Sequence, residues 1–108
     1  MALELTHFIG GKHVTGSSGR FADVYNPATG EVQAKCPLAS AAEVRAAVED
    51  AMAAQPAWAA ANPQKRARVT MEFVSLLRRD MDKLAEALSR EHGKTLPDAR
   101  GDVQRGLE

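Results

Sequence analysis

A chain of 108 residues fits within one domain and could bury about two-thirds of its unfolded surface. Twenty of its apolar positions are alanine, however, and each encloses little area beside the roughly 1.5–3 kcal/mol available from a buried Leu, Val or Phe. Fourteen Lys plus Arg against fourteen Asp plus Glu leave no net field to gather nucleic acid or an anionic membrane, so neither is an expected partner.

The single cysteine excludes an intrachain disulfide and any Cys-rich zinc site. No stretch approaches the roughly 20 apolar residues that span a bilayer, and the N-terminus lacks the basic-then-apolar order of a secretory signal. A reducing, cytoplasmic compartment is the expectation.

In chain order, residues 8–14 carry strand composition, a loop of Thr, Gly and Ser follows over 15–19, and a second strand is predicted over 21–25. Asn26-Pro27-Ala28-Thr29-Gly30 is a turn, because proline presets φ near its start and glycine accepts a conformation other residues resist. Val32, Ala34 and Cys36 then alternate with Glu31, Gln33 and Lys35, which predicts a third strand with one apolar face, stopped by Pro37.

Beyond residue 38 the pattern is helical. Ser40 and Glu43 have capping-box spacing, so a first helix begins near Ala41, turns Val44, Val48, Ala51 and Met52 inward, and should end or bend at Pro56. Asn62-Pro63 starts a second helix with Val69, Phe73, Leu76 and Leu77 as its buried stripe. A third begins after Asp80, carries Leu84 and Leu88 inward and closes at Gly93, with Lys94 near the negative helix end. Thr95-Leu96-Pro97-Asp98 caps a fourth, which runs through Val103 and Leu107. The fold class is therefore α/β: a strand region over 1–37, then about four helices over 38–108. So few apolar positions on the last helix cannot stabilise it alone, which leads us to expect a longer natural chain.

Few residues invite chemistry. Cys36 sits in a strand pattern with no local histidine and reads as a small buried hydrophobe. His7, His13 and His92 share no metal-ligand spacing. The glycines at 10–11 and 16–19 precede no helix and lack a GK[ST] element, so a hairpin loop is the better reading. Arg66, Arg68, Arg78 and Arg79 read as a solvated helix face.

Phe8-Ile9-Gly10-Gly11-Lys12, Asn26-Pro27-Ala28-Thr29-Gly30-Glu31-Val32 and Lys65-Arg66-Ala67-Arg68 resemble, in the same order, the opening of aldehyde dehydrogenases. Glu91-His92-Gly93-Lys94-Thr95 is similar to that superfamily's Glu-x-Gly-Lys element, although helix termination by Gly93 explains it without chemistry. The run from Asp98 to Glu108 resembles the CoA-acylating methylmalonate-semialdehyde branch in particular. The resemblance implies the N-terminal, incomplete portion of an NAD-binding domain. It also implies that the full-length enzyme oxidises a small semialdehyde with NAD and CoA, works as a homo-oligomer, and keeps its catalytic cysteine and cofactor-binding residues outside these 108. No catalytic, cofactor-binding or metal-ligating residue is expected within them.

One site residue follows from the resemblance. In that branch an arginine in the Gly-Asp-Val-x-Arg-Gly context binds the substrate's carboxylate, which points to Arg105; a guanidinium offers a planar fork for such a group. Gly101 and Gly106 suggest close backbone approach nearby, since each costs roughly 1 kcal/mol in a helix interior. The competing reading is a surface arginine paired with Asp102 or Glu108. Two other functions stay open: an aldehyde dehydrogenase without the CoA step, and a non-catalytic helical interaction module.

Overall fold

The computed structural model describes residues 2–108. Strands β1 (Leu3–Glu4), β2 (His7–Ile9), β3 (Lys12–Val14), β4 (Phe21–Tyr25) and β5 (Val32–Pro37) precede helices α1 (Ala41–Ala60), α2 (Pro63–Arg79), α3 (Met81–His92) and α4 (Leu96–Leu107). The α/β order of strands followed by four helices is as the sequence predicts. Two compact units divide the chain: residues up to Tyr25 with Glu31–Ala60, and Asn26–Gly30 with Ala61–Glu108.

In the first unit, β5 is the middle of a three-stranded sheet, parallel to β1 and antiparallel to β4. Residues 8–14 do not form the single strand expected of them. Gly10 and Gly11 take φ of 62° and 75°, the left-handed pair that a two-residue hairpin turn needs, and His7 folds back opposite Val14. The loop at 15–19 consequently leads from this hairpin to the other sheet and is not itself a hairpin loop.

The alternation read in β5 is broken by a bulge. Val24 faces Ala34 but Tyr25 faces Val32, so Gln33 is the inserted residue and Val32 is left exposed while Ala34 is buried. Cys36 is half-buried rather than enclosed. Pro37 does not stop the strand but pairs with Phe21 as its last residue. β1 reaches only as far as Lys35, so Pro37 lies at a position where no neighbour requires its missing N–H.

The capping box forms as the Ser40/Glu43 spacing predicts. Glu43 N–H donates to Ser40 Oγ at 3.2 Å and Ser40 N–H donates to Glu43 Oε2 at 2.8 Å. The other carboxylate oxygen accepts the Ser17 N–H at 2.6 Å, so the same side chain ties the 15–19 loop to α1. The backbone N–H of Ser40, then that of Ser17, hold the Glu43 carboxyl down to about 2 from its ordinary 4.5. Pro56 does not end α1, which continues to Ala60. The proline forfeits one backbone bond, and the alanines around it, the best helix formers, carry the helix through.

In the second unit Asn62 caps α2 by accepting the Gln64 N–H at 2.8 Å, with Pro63 at the first helical position. α3 ends at Gly93, whose φ is 83° and whose N–H donates to the Ser89 carbonyl at 2.8 Å. A Cβ built on Gly93 would lie 2.9 Å from Pro27 Cγ, so the 26–30 turn is seated on the end of α3. That turn is closed by the Gly30 N–H donating to the Asn26 carbonyl at 2.8 Å and the Ala28 N–H to Asn26 Oδ1 at 2.9 Å. Thr95 precedes α4 without the expected side-chain cap bond.

The predicted apolar stripes exist, but two of them are not buried by these residues. Val44, Val48 and Met52 of α1 and Val69, Phe73 and Leu76 of α2 are exposed, Met52 by 67% and Phe73 by 57%. Periodicity identifies an apolar face without supplying what covers it. Helices α3 and α4 pack on each other, with Ala85 and Ala99 fully enclosed and Leu84, Leu88, Val103 and Leu107 half-buried.

Two measurements test these contacts. Gly93→Ala should lower stability by about 1–3 kcal/mol in chemical denaturation, and Pro27→Ala should recover part of the loss, because strain at φ and contact with Pro27 act together. Glu43 has a folded pKa below its unfolded one, so the stability it contributes is present in full above pH 4.5 and lost as pH falls through about 2. An acid titration of unfolding should show this inflection, and Glu43→Gln should remove it.

Candidate functional site

The polar groups of the second unit converge where α3 passes into α4. Residues 93–95 form the whole connection, and within it the Ser89 Oγ donates to the Lys94 carbonyl at 2.6 Å. The backbone of Lys94 is thereby fixed. Its side chain, only 15% exposed, lies along α4, where the ammonium pairs with Asp98 at 3.2 Å and donates a hydrogen bond to Asp102. A second tie runs from α4 to α3 as the Arg100 guanidinium meets Asp82 at 2.9 and 3.0 Å.

The hydrogen bond from Lys94 depresses the Asp102 carboxyl below its usual range, aided by the charges of Lys94, Arg105 and His92. The same contacts with Asp102 and then Asp98 raise the Lys94 ammonium. The position expected of Lys94, at the negative end of α3, is therefore incomplete: its ammonium is committed to two carboxylates of the next helix.

Arg105 lies on α4, one turn beyond Asp102, and is exposed. Neither of the ion pairs weighed for it forms. Asp102 is engaged by Lys94, Glu108 accepts a hydrogen bond from Gln104 at 2.9 Å, and among the described residues Arg105 makes no ion pair or side-chain hydrogen bond. The glycines at 101 and 106 face open space, since a Cβ at either would meet nothing within 4 Å. Among the described residues no backbone makes the close approach that their presence suggested.

The remaining chemistry-bearing residues are not gathered. Cys36 Sγ has only the Pro37 carbonyl at 3.8 Å, and His13 Nδ1 bonds Thr6 Oγ1 at 2.8 Å. Among the described residues no three His, Cys, Asp or Glu side chains are arranged to hold a metal ion, and no helix is long and apolar enough to cross a membrane.

A helix N-terminus with free N–H groups is one place where a phosphate binds. The start of α1 is occupied by Glu43, that of α2 by Asn62 and Pro63, and those of α3 and α4 carry Asp82 and Asp98. The groove of about 380 Å³ lined by His7, Ile9, Val44 and Val48 is apolar, and its one carboxylate, Glu43, already spends both oxygens on backbone N–H groups.

Residues 13–108 match the family model described as Aldehyde dehydrogenase family, and the chain belongs to that family. Its strands and helices match the cofactor-binding domain of such enzymes.

Among relatives, it is 45% identical over 104 residues to a malonate-semialdehyde dehydrogenase of Pseudomonas aeruginosa, covering 96% of this chain and 21% of that protein. It is likewise 45% identical over 108 residues to the mitochondrial methylmalonate-semialdehyde dehydrogenase [acylating] of Arabidopsis thaliana, covering 100% of this chain and 18% of the relative. A solved structure from Sinorhizobium meliloti 1021, described provisionally as a methylmalonate-semialdehyde dehydrogenase and complexed with NAD, is 64% identical with a TM-score of 0.96. That match covers 99% of this chain and 22% of the other. The chain thus spans about a fifth of the length of these relatives.

Sequence reasoning misses the network around Lys94, although Lys94, Asp98 and Asp102 recur at the four-residue spacing of a helix face. Carbon-detected titration of Asp102 should place its carboxyl below an ordinary aspartate, and Lys94→Met should move it upward.

Proposed function

We propose that these residues form the N-terminal part of the NAD-binding domain of a CoA-acylating methylmalonate-semialdehyde dehydrogenase. The complete enzyme would convert methylmalonate semialdehyde and CoA to propionyl-CoA, or malonate semialdehyde and CoA to acetyl-CoA, with release of CO2. One observation carries this reading: the chain is 45% identical along its full length to a relative named for that acylating activity. NAD complexed with the Sinorhizobium meliloti structure supports NAD as the oxidant. A homo-oligomer in the cytoplasm belongs to the same proposal.

The role we assign to this chain is substrate recognition. Arg105 is the one arginine of α4 without a carboxylate partner among the described residues, and an exposed guanidinium can take a semialdehyde's carboxylate through two parallel hydrogen bonds. The aldehyde end would then be set by a rigid helix rather than a loop. The hydride-accepting and acyl-accepting groups are assigned to polypeptide beyond these residues, since the chain spans about a fifth of the length of its relatives.

Two outcomes are expected. The purified 108-residue chain should form no NADH from methylmalonate semialdehyde, NAD and CoA; turnover would overthrow the assignment of the chemistry. In the full-length enzyme, Arg105→Gln should raise KM for malonate semialdehyde relative to that for propanal by about tenfold or more, the cost of losing a charge-assisted pair.

A further inference from the structure

Arg105 has a carboxylate one helical turn away. Residues three apart on a helix are neighbours, and an Asp–Arg pair at that spacing closes readily. Asp102 is the natural intrahelical partner of Arg105, and Glu108, three residues further on, is its mirror on the other side. An arginine occupied by either would have to break that pair before taking up an anionic substrate.

Each acid has one oxygen engaged. Gln104 donates to Glu108 from within α4, and Lys94 reaches Asp102 from outside the helix. Lys94 is well placed to hold that contact: its carbonyl accepts the Ser89 hydroxyl, the left-handed Gly93 fixes the chain just before it, and its ammonium is anchored a second time by Asp98. The Lys94 side chain is 15% exposed and that of Asp102 48% exposed.

We propose that Lys94 is a positioning residue for substrate recognition: by engaging Asp102 it keeps Arg105 from closing on a carboxylate of its own helix. The proposal rests on Arg105 being the group that binds the substrate's carboxylate. Two effects act in the same direction. Without Lys94, Asp102 would compete with the substrate for the guanidinium, and Asp98 and Asp102 would leave two uncompensated negative charges beside an incoming anion.

The test uses the full-length enzyme with malonate semialdehyde and, as the uncharged control, propanal. Lys94→Met should raise KM for malonate semialdehyde by about tenfold and leave kcat and the KM for propanal near native. Adding Asp102→Asn should bring KM for the semialdehyde back to within about twofold of native, and Lys94→Arg should keep it there. An equal rise for both aldehydes, or no recovery in the double variant, would overturn the proposal.

Should Lys94→Met not fold, Asp102→Asn alone decides. The proposal expects native or lower KM for the semialdehyde, whereas a purely structural Lys94–Asp102 contact expects a rise for both aldehydes. If Arg105→Gln leaves the KM ratio unchanged, the assignment of Arg105 fails. If that ratio moves while Lys94→Met leaves it alone, only the role of Lys94 fails.

Discussion

Between α3 and α4 the chain has three residues in which to reverse, and the conformation at the first of them governs the packing of both helices. Gly93 takes a left-handed φ that an L side chain resists, and its bare Cα leaves room for Pro27. With that corner set, α3 and α4 pack closely enough to enclose Ala85 and Ala99, and Arg100 reaches Asp82. Lys94 then lies against α4. The placement of Arg105 is a result of this corner, since the helix that carries it is oriented by these contacts.

Alanine sets the energetic character of the fold. The buried apolar side chains among the described residues are those of Ala34, Pro37, Ala85 and Ala99, while Val, Met and Phe side chains on α1 and α2 face outward. Small side chains allow close helix approach but give back little transfer free energy. Much of the fold's definition comes instead from directional contacts: a capping box, an asparagine cap, a left-handed glycine and a sheltered ammonium. Glu43 illustrates the economy, because one carboxylate serves both the start of α1 and a loop far from it in sequence.

Legibility in the sequence divides along the same line. Ser40 with Glu43, Asn62 with Pro63, and Gly93 each place a helix end by local chemistry, and all three stand where expected. The hairpin loop read at Gly10-Gly11 stands, but its flanking strands are only three residues each, too short for a period to separate them from one run over 8–14. The bulge at Gln33 and the continuation past Pro56 depend on pairing and on neighbouring propensity, which no single residue announces. For the site, the residue types point to no catalytic cluster, and Arg105 is legible only by resemblance. The Lys94 contact escapes a local reading because its partners lie on a helix that begins after it.

The parallel pairing of β1 with β5 gives the two units different entropic burdens. Leu3 must find Ala34, across a loop that contains a hairpin, a second strand and a turn, before it gains a hydrogen bond. The α3–α4 corner closes over a few residues. Non-local pairings form slowly and local helical ones quickly, so on refolding from denaturant the helical corner should acquire amide-exchange protection before the sheet, leaving an ordered C-terminal half while the first strand is still searching for a neighbour.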